Sequence, residues 1–237
     1  MYRSITTCYL APSYSKILAP LVGSIILEGG GIMLDNKGFD LWADGYDKAV
    51  GLSEEANSYP FAGYKEVLGD IFQEVVSKEN SRVLDIGFGT GTLTTKLYEH
   101  GCNVFGQDFS QRMIELAKEK MPNATLYQGD FSKGLVDELK QCKFDYIIGT
   151  YSIHHLDDEQ KIAFFHELLN HLNEGGKILL GDVAFETRSE LEKCKAESGD
   201  VWDTDEIYFV IEELKKAFPN LVYDKKTYCS GVIKISR

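Results

Sequence analysis

The chain has 237 residues, 43% of them hydrophobic, which is compatible with one α/β domain and a sizeable core. A net charge of −12 and a pI near 4.9 set the overall field against every phosphate contact, which argues against nucleic acid and anionic membrane as partners. Five cysteines, at 8, 102, 142, 194 and 229, form no C-x-x-C pair and have no histidines at zinc spacing, so a reducing cytoplasm is expected and no metal cluster is visible.

Residues 1–32 stand apart in composition, with Arg3 and Lys16 as cations, Glu28 as the lone acid, and an apolar run from Ile17 to Leu27 broken by Pro20 and Gly23. That run is too short to span a bilayer, which takes about 20 apolar residues. A signal peptide fits the basic start, but Glu28-Gly29-Gly30-Gly31 follows where a small-x-small cleavage site belongs. We read the segment either as a poorly ordered extension or as upstream sequence translated ahead of a natural start at Met33. N-terminal sequencing from the native host tests this, and a mature end near Tyr2 would sink the second reading.

Residues 33–237 read as one domain, with helices over 33–80 preceding a core over 81–237. In Phe39-Asp40-Leu41-Trp42-Ala43-Asp44-Gly45-Tyr46-Asp47 the two aromatics four apart fit a helix stripe on the core, or a lid that covers a ligand and excludes water. Pro60 then opens an amphipathic helix bearing Tyr64, Leu68, Ile71 and Val75.

Val83, Leu84 and Ile86 form a short apolar run of the kind found in parallel strands covered on both faces, ending in Asp85-Ile86-Gly87-Phe88-Gly89-Thr90-Gly91. Glycines 87, 89 and 91 permit positive φ and close ligand approach, and Leu93 and Leu97 follow at helical spacing. A strand, tight turn and helix start of this kind suits a carboxylate or phosphate. The dinucleotide fingerprint is G-x-G-x-x-G, whereas the spacing here is G-x-G-x-G with Thr92 where the last glycine would fall.

Asn103–Asp108 reads as a second strand whose terminal acid lies about 20 residues beyond the glycines, the place of the ribose-binding acid in nucleotide-binding α/β folds. Ser110 is better placed than Asp108 to cap the next helix, which carries Met113, Ala117 and Met121. A third strand, 124–128, ends in Gly129-Asp130-Phe131, where Asp130 is either a ligand contact or a turn residue bonding its own backbone. The fourth, Phe144–Thr150, delivers Tyr151-Ser152-Ile153-His154-His155 to the edge where ligands collect. His154 and His155 are the candidate catalytic residues, since an imidazole suits base work at neutral pH.

Asp157 or Asp158 starts a helix with Ile162, Phe165, Leu169 and Leu172 on one face, and Gly175-Gly176 is expected to stop it before a fifth strand at 177–184. The polar stretch 185–203 reads as a loop closing over substrate, with Phe185 and Trp202 as pocket aromatics, or as a surface excursion containing a short helix. Thr204 is expected to cap a last helix bearing Ile207, Ile211, Leu214 and Phe218. Two final strands, near 221–228 and 232–235, are joined by Cys229-Ser230-Gly231, too short for a crossover and so antiparallel.

From about residue 39 onward the chain resembles the class I S-adenosylmethionine-dependent methyltransferases. The likeness rests on Asp85/Gly87/Gly89/Gly91, Asp108 and Asp130 at successive strand ends, and "F-D-x-W-A-x-x-Y-D" with "V-L-D-I-G-F-G-T-G" is similar to the YrrT-like small-molecule methyltransferases of Gram-positive bacteria. The resemblance implies a Rossmann-like three-layer α/β/α fold with a seven-stranded, mostly parallel sheet whose last strand is antiparallel. It implies S-adenosyl-L-methionine as methyl donor, S-adenosyl-L-homocysteine as product, and cofactor contacts from Tyr46, Asp85, Gly87, Gly89, Gly91, Asp108, Phe109, Asp130, Phe131 and Thr150. Within that set Tyr46 lies against the methionine moiety, Asp130 receives the adenine amine and Phe131 flanks the ring. In many relatives the paired histidines shape the pocket and cap the following helix. The N-P-P-Y type motif of amino-methylating DNA enzymes is absent at this strand end, and the expected partner is a small-molecule acceptor, with the protein a monomer or homodimer. An NAD-dependent oxidoreductase and a non-catalytic S-adenosylmethionine-binding protein stand as alternatives.

Overall fold

A computed structural model describes residues 57–237. The 1–32 segment and the aromatic element with Trp42 and Tyr46 lie outside the described residues. The first described helix, α1 (Tyr64–Val76), begins after Gly63 rather than at Pro60, and buries Val67, Leu68, Ile71 and Val75. The strands and helices that follow are β1 (Arg82–Ile86), α2 (Thr92–Glu99), β2 (Asn103–Asp108), α3 (Gln111–Lys120) and β3 (Thr125–Gln128). After α4 (Asp137–Lys140) and β4 (Phe144–Thr150) come α5 (Asp158–Asn170), β5 (Leu172–Phe185) and α6 (Arg188–Ser198). The chain ends with β6 (Phe209–Val210), α7 (Ile211–Leu214), β7 (Val222–Lys225) and β8 (Ser230–Ser236).

The strands form one sheet in the order β3-β2-β1-β4-β5-β8-β7. Neighbours from β3 to β5 are parallel, β8 runs antiparallel to both β5 and β7, and the two-residue β6 adds a parallel pairing to β5. Seven strands with an antiparallel last one is the expected sheet, and β6 is an addition the sequence did not signal.

Period-2 alternation divides the strand residues between two cores. Val83, Ile148, Leu179 and Val232 face one cluster with α1, α2 and α3, while Leu84, Ile147, Ile178 and Ile233 face another with α5 and Phe218. That is why the strands read as continuous apolar runs: both faces are covered. Close approach of α1 to the sheet depends on Gly181, where an added Cβ would lie 2.5 Å from Val67 Cγ1. At the amino edge, Asp145 accepts from Lys78 Nζ, the Arg82 N–H and Asn173 Nδ2, tying the starts of β1, β4 and β5 together.

Further expectations change. Helix α5, opened by an Asp157/Gln160 capping box, ends at Asn170, and Leu172 pairs with Phe144 in β5 rather than lying on the helix face. Gly175-Gly176 sits inside β5 at a register irregularity, because a Cβ on Gly176 would lie 2.9 Å from the Asp145 carbonyl oxygen; the glycine there answers a backbone contact and does not stop a helix. Residues 185–203 contain α6, capped by Thr187, and a short turn at Gly199–Val201. Thr204 caps no helix: Asp203 Oδ1 accepts from the Asp205 N–H, and 203–208 runs as a loop that drives Glu206 and Tyr208 into the interior before β6. No helix among the described residues is long and apolar enough to cross a membrane.

Candidate functional site

The carboxyl ends of β1, β2 and β4 converge on the glycine turn. Gly87, Gly89 and Gly91 have φ of +69°, +55° and +77°, the left-handed region that a side chain strains. Gly87 N–H extends the β1–β2 ladder to the Gln107 carbonyl, and Gly91 precedes the first residue of α2. A Cβ on Gly87 would lie 2.6 Å from Ser152 Cβ and 3.4 Å from Phe131 Cε1, whereas one on Gly89 would meet nothing within 4 Å. The turn is thus walled on one side by Ser152 and Phe131 and open above Gly89.

Two acids frame this opening. Asp108 Oδ2 accepts the Gly89 N–H at 2.9 Å and Oδ1 the Ser110 N–H at 2.9 Å, so β2's terminal carboxylate is locked to the turn. Ser110 caps α3 through the Met113 N–H, as its position predicts. Asp85 is buried, and Oδ2 accepts the Thr94 hydroxyl at 2.5 Å while Oδ1 has no hydrogen-bond partner among the described residues. Burial pushes its pKa up to about 7, with the Asp108 charge adding and the Thr94 bond opposing.

Asp130 follows β3 and its Oδ1 accepts from the Ser132 N–H and hydroxyl, while Oδ2 pairs with Lys133 at 2.7 Å. Partial burial opposes ionisation, but the bonds from Lys133 and Ser132 outweigh it and hold the carboxyl below the usual range. The local-turn reading of Asp130 is therefore present in the geometry, in a form that leaves an ionised acceptor. Phe131 stacks on Phe164 at 6.3 Å and, with Lys133, Gln160 and Glu167, lines a cleft of about 280 Å³ between the Phe131–Lys133 turn and α5. Phe109 is half-buried just past Asp108, and Thr150, also half-buried, ends β4 beside Gly181.

Beyond Thr150 the backbone turns sharply. Tyr151 has φ +50°, a conformation unusual for a bulky residue and concentrated at functional sites. The turn returns Ser152 Oγ to the Ile86 carbonyl at 2.8 Å, closing the end of β4 on the end of β1.

His154 is buried with both ring nitrogens facing carboxylates: Nδ1 lies 2.6 Å from Asp182 Oδ1 and Nε2 3.4 Å from Glu206 Oε1. Burial lowers its pKa, but the Asp182 and Glu206 charges outweigh this and raise it to about 9. Burial lifts Glu206 to about 7, aided by Asp203 and Asp182 and opposed by His154 and Tyr208. Tyr208 donates to Glu206 Oε2 at 2.6 Å, its hydroxyl is hydrogen-bonded to that of Tyr59, and Tyr59 accepts from the Asp203 N–H. Trp202 stacks on Tyr59 at 5.0 Å and lies 6.4 Å from Phe185, so both expected pocket aromatics are buried in this cluster. His155 is exposed at its edge.

The structure thus brings Asp85, Gly87, Gly89, Asp108 and Phe131 around the glycine turn and sets His154 and His155 beside a separate cluster; Tyr46 lies outside the described residues. Sequence reasoning missed Asp182, Glu206, Tyr59 and Tyr208. Asp182 carried a usable signal, an acid closing the apolar run Ile178-Leu179-Leu180 much as Asp85 and Asp108 close theirs. Glu206 carried none, being one acid in a polar stretch.

Residues 83–176 match a protein family described as a methyltransferase domain. An uncharacterized methyltransferase of Anoxybacillus flavithermus is 39% identical over 160 residues, covering 68% of this chain and 72% of the relative. Another, from Alkaliphilus oremlandii, is 32% identical over 189 residues, covering 80% and 84%. Among solved structures, the magnesium protoporphyrin IX methyltransferase of Synechocystis with bound S-adenosylhomocysteine superposes with a TM-score of 0.59 at 17% identity, over 95% of this chain and 93% of that one. A DhpI complex with S-adenosylmethionine gives 0.61 at 18% identity, over 85% and 95%. At these identities the solved structures speak to the fold.

Proposed function

The chain belongs to the class I S-adenosylmethionine-dependent methyltransferases, and we propose that it methylates a small-molecule acceptor bound at the carboxyl edge of its sheet. The observation that carries this reading is the Asp108 carboxylate held on the Gly89 N–H at the mouth of an open glycine turn. A carboxylate at that position suits a ribose diol, and a net charge of −12 sets the overall field against a polyanionic acceptor. The neighbouring Synechocystis enzyme, whose name gives a porphyrin as acceptor, is a small-molecule methyltransferase with the same fold.

The residues present fit the cofactor. Asp85 Oδ1 is a buried acceptor in need of a donor, which the amino group of the methionine moiety supplies, and the open face of Gly89 leaves room beside it. Asp108 takes the ribose hydroxyls, Asp130 the adenine amine, and Phe131 and Phe109 flank the base. Gly87, Gly91 and Thr150 shape the floor. When bound, S-adenosylmethionine supplies a methyl group activated by its sulfonium.

The chain's own contribution is alignment and exclusion of water, which is worth several kcal/mol through proximity alone. His154 serves as a protonated clamp between Asp182 and Glu206, since a pKa near 9 leaves it a poor proton acceptor at neutral pH. Glu206, near 7, is better suited to receive a proton from an acceptor that arrives protonated, whereas desolvation and the His154 and Lys161 charges hold His155 well below the usual imidazole range.

Calorimetric titration of S-adenosylhomocysteine and NADH, separately, into the wild type and Asp108→Ala tests the donor half. Binding of the former alone, weakened by at least about 100-fold in the variant, is expected from loss of a charge-assisted contact. Binding of NADH alone would revive the oxidoreductase alternative. Turnover of a panel of amine, thiol and hydroxyl compounds tests the acceptor, and methylation of only nucleic acid or protein would overturn it.

A further inference from the structure

His154, His155 and Glu206 each offer one ligating atom, and these atoms all lie within 4.8 Å of one another. The 3.4 Å between His154 Nε2 and Glu206 Oε1 matches the spacing of two ligands on one tetrahedral ion, roughly 3.4 Å for bonds of about 2.0–2.1 Å. The supporting bonds are those that orient metal ligands. Asp182 holds His154 Nδ1 at 2.6 Å, which aims Nε2 inward, and Tyr208 occupies Glu206 Oε2, which leaves Oε1 turned to the histidine. The loop carrying Glu206 is itself latched to the histidine segment, with the Ile207 N–H bonded to the His154 carbonyl at 2.9 Å and Lys161 Nζ to the Ile207 carbonyl at 2.5 Å.

We propose that His154 Nε2, His155 and Glu206 Oε1 form a binding site for a divalent transition metal of the zinc class, with Asp182 and Tyr208 as its orienting outer layer. Two imidazoles and one carboxylate select a borderline ion such as zinc over magnesium or calcium, which take oxygen ligands. Charge argues the same way. Asp182, Asp203 and Glu206 are buried together, and His154 and Lys161 are the cations the interactions place beside them, so a divalent ion compensates carboxylates that are costly to bury ionised. A metal ion and a proton compete for the same His154 nitrogen. His155 sits exposed at the rim, which provides an entry path and leaves a coordination position open to water.

The site is tested on the full chain with cobalt(II) alone, without any methyl donor, so the result does not depend on the proposed acceptor or the cofactor contacts. Titration followed by visible absorption is expected to give ligand-field bands that saturate at one equivalent and are displaced by zinc(II). His155→Ala should weaken cobalt binding at least about tenfold while its metal-free melting curve matches the wild type, since the residue is exposed. Glu206→Gln keeps the shape and the contact to Tyr208, and the same loss is expected. Absence of saturable bands, a near-ultraviolet thiolate charge-transfer band that assigns the ion to cysteine, or less than a tenfold change in His155→Ala would each overturn the proposal.

Discussion

The donor side and the histidine side of the carboxyl edge are built on opposite plans. Around the glycine turn, strand ends close together in sequence meet through backbone groups: Gly87 on Gln107, Gly89 on Asp108, Ser110 on Asp108. Around His154, side chains from Tyr59, His154, Asp182 and Glu206, spread over nearly 150 residues, meet as a buried network of charges and hydroxyls. A turn built of main chain fails when its backbone shape changes and leans on few side chains, Asp108 foremost; a site made of buried side chains fails when any one of them is lost.

The contrast is sharpest in two substitutions. Gly87→Ala places a Cβ 2.6 Å from Ser152 Cβ at a φ of +69°, and should cost roughly 2–5 kcal/mol of stability and abolish S-adenosylhomocysteine binding. Gly89→Ala has open space, so about 1–2 kcal/mol from the left-handed backbone is all that is expected. Equal losses in chemical denaturation would break the distinction between a walled and an open side of the turn. On the other plan, His154→Ala leaves Asp182 and Glu206 buried without their shared cation and should cost about 3 kcal/mol, with S-adenosylhomocysteine affinity of the folded fraction unchanged. A large fall in that affinity would mean the two halves are one site.

A pH series separates the halves more finely. Because burial raises Asp85 from its ordinary 3.8 to about 7, its contribution to stability is fully present below the lower value and is lost as pH rises through the higher one. Asp85→Asn removes that dependence, so the variant should gain on the wild type by roughly 2–3 kcal/mol between about pH 5 and about pH 8. Parallel stability curves would show that Asp85 is ionised throughout. The smallest effect is expected of Asp157→Ala, which deletes the α5 cap far from both networks: about 1 kcal/mol by denaturation, with cofactor binding untouched.

Much of the framework was legible from the chain alone. The buried runs Val83–Ile86 and Phe144–Thr150, the Ser110 cap, the Asp108 spacing and the final hairpin all depend on neighbours within a strand, a turn or one βαβ step, and local patterns encode local geometry. Where the reading failed, a tertiary contact had overridden a local signal. Gly175-Gly176 resembles a helix stop but serves the close approach to Asp145, and Ile207 to Phe218 has helical periodicity but begins as a loop because Glu206, Tyr208 and Lys161 draw it inward.

By itself the sequence marked the strands of the core and the acids and glycines at their carboxyl ends, since each is written in adjacent residues, while the mostly parallel seven-stranded sheet came from the family resemblance and its strand order from the structure. Tertiary structure alone decided that His154 stands between Asp182 and Glu206, that Tyr59 and Tyr208 complete that network, and that His155 lies at its rim. The reason is physical: a strand's register and a turn's φ are set by the chain's own short-range sterics, whereas a buried charge is set by whichever distant groups the folded core brings within reach of it.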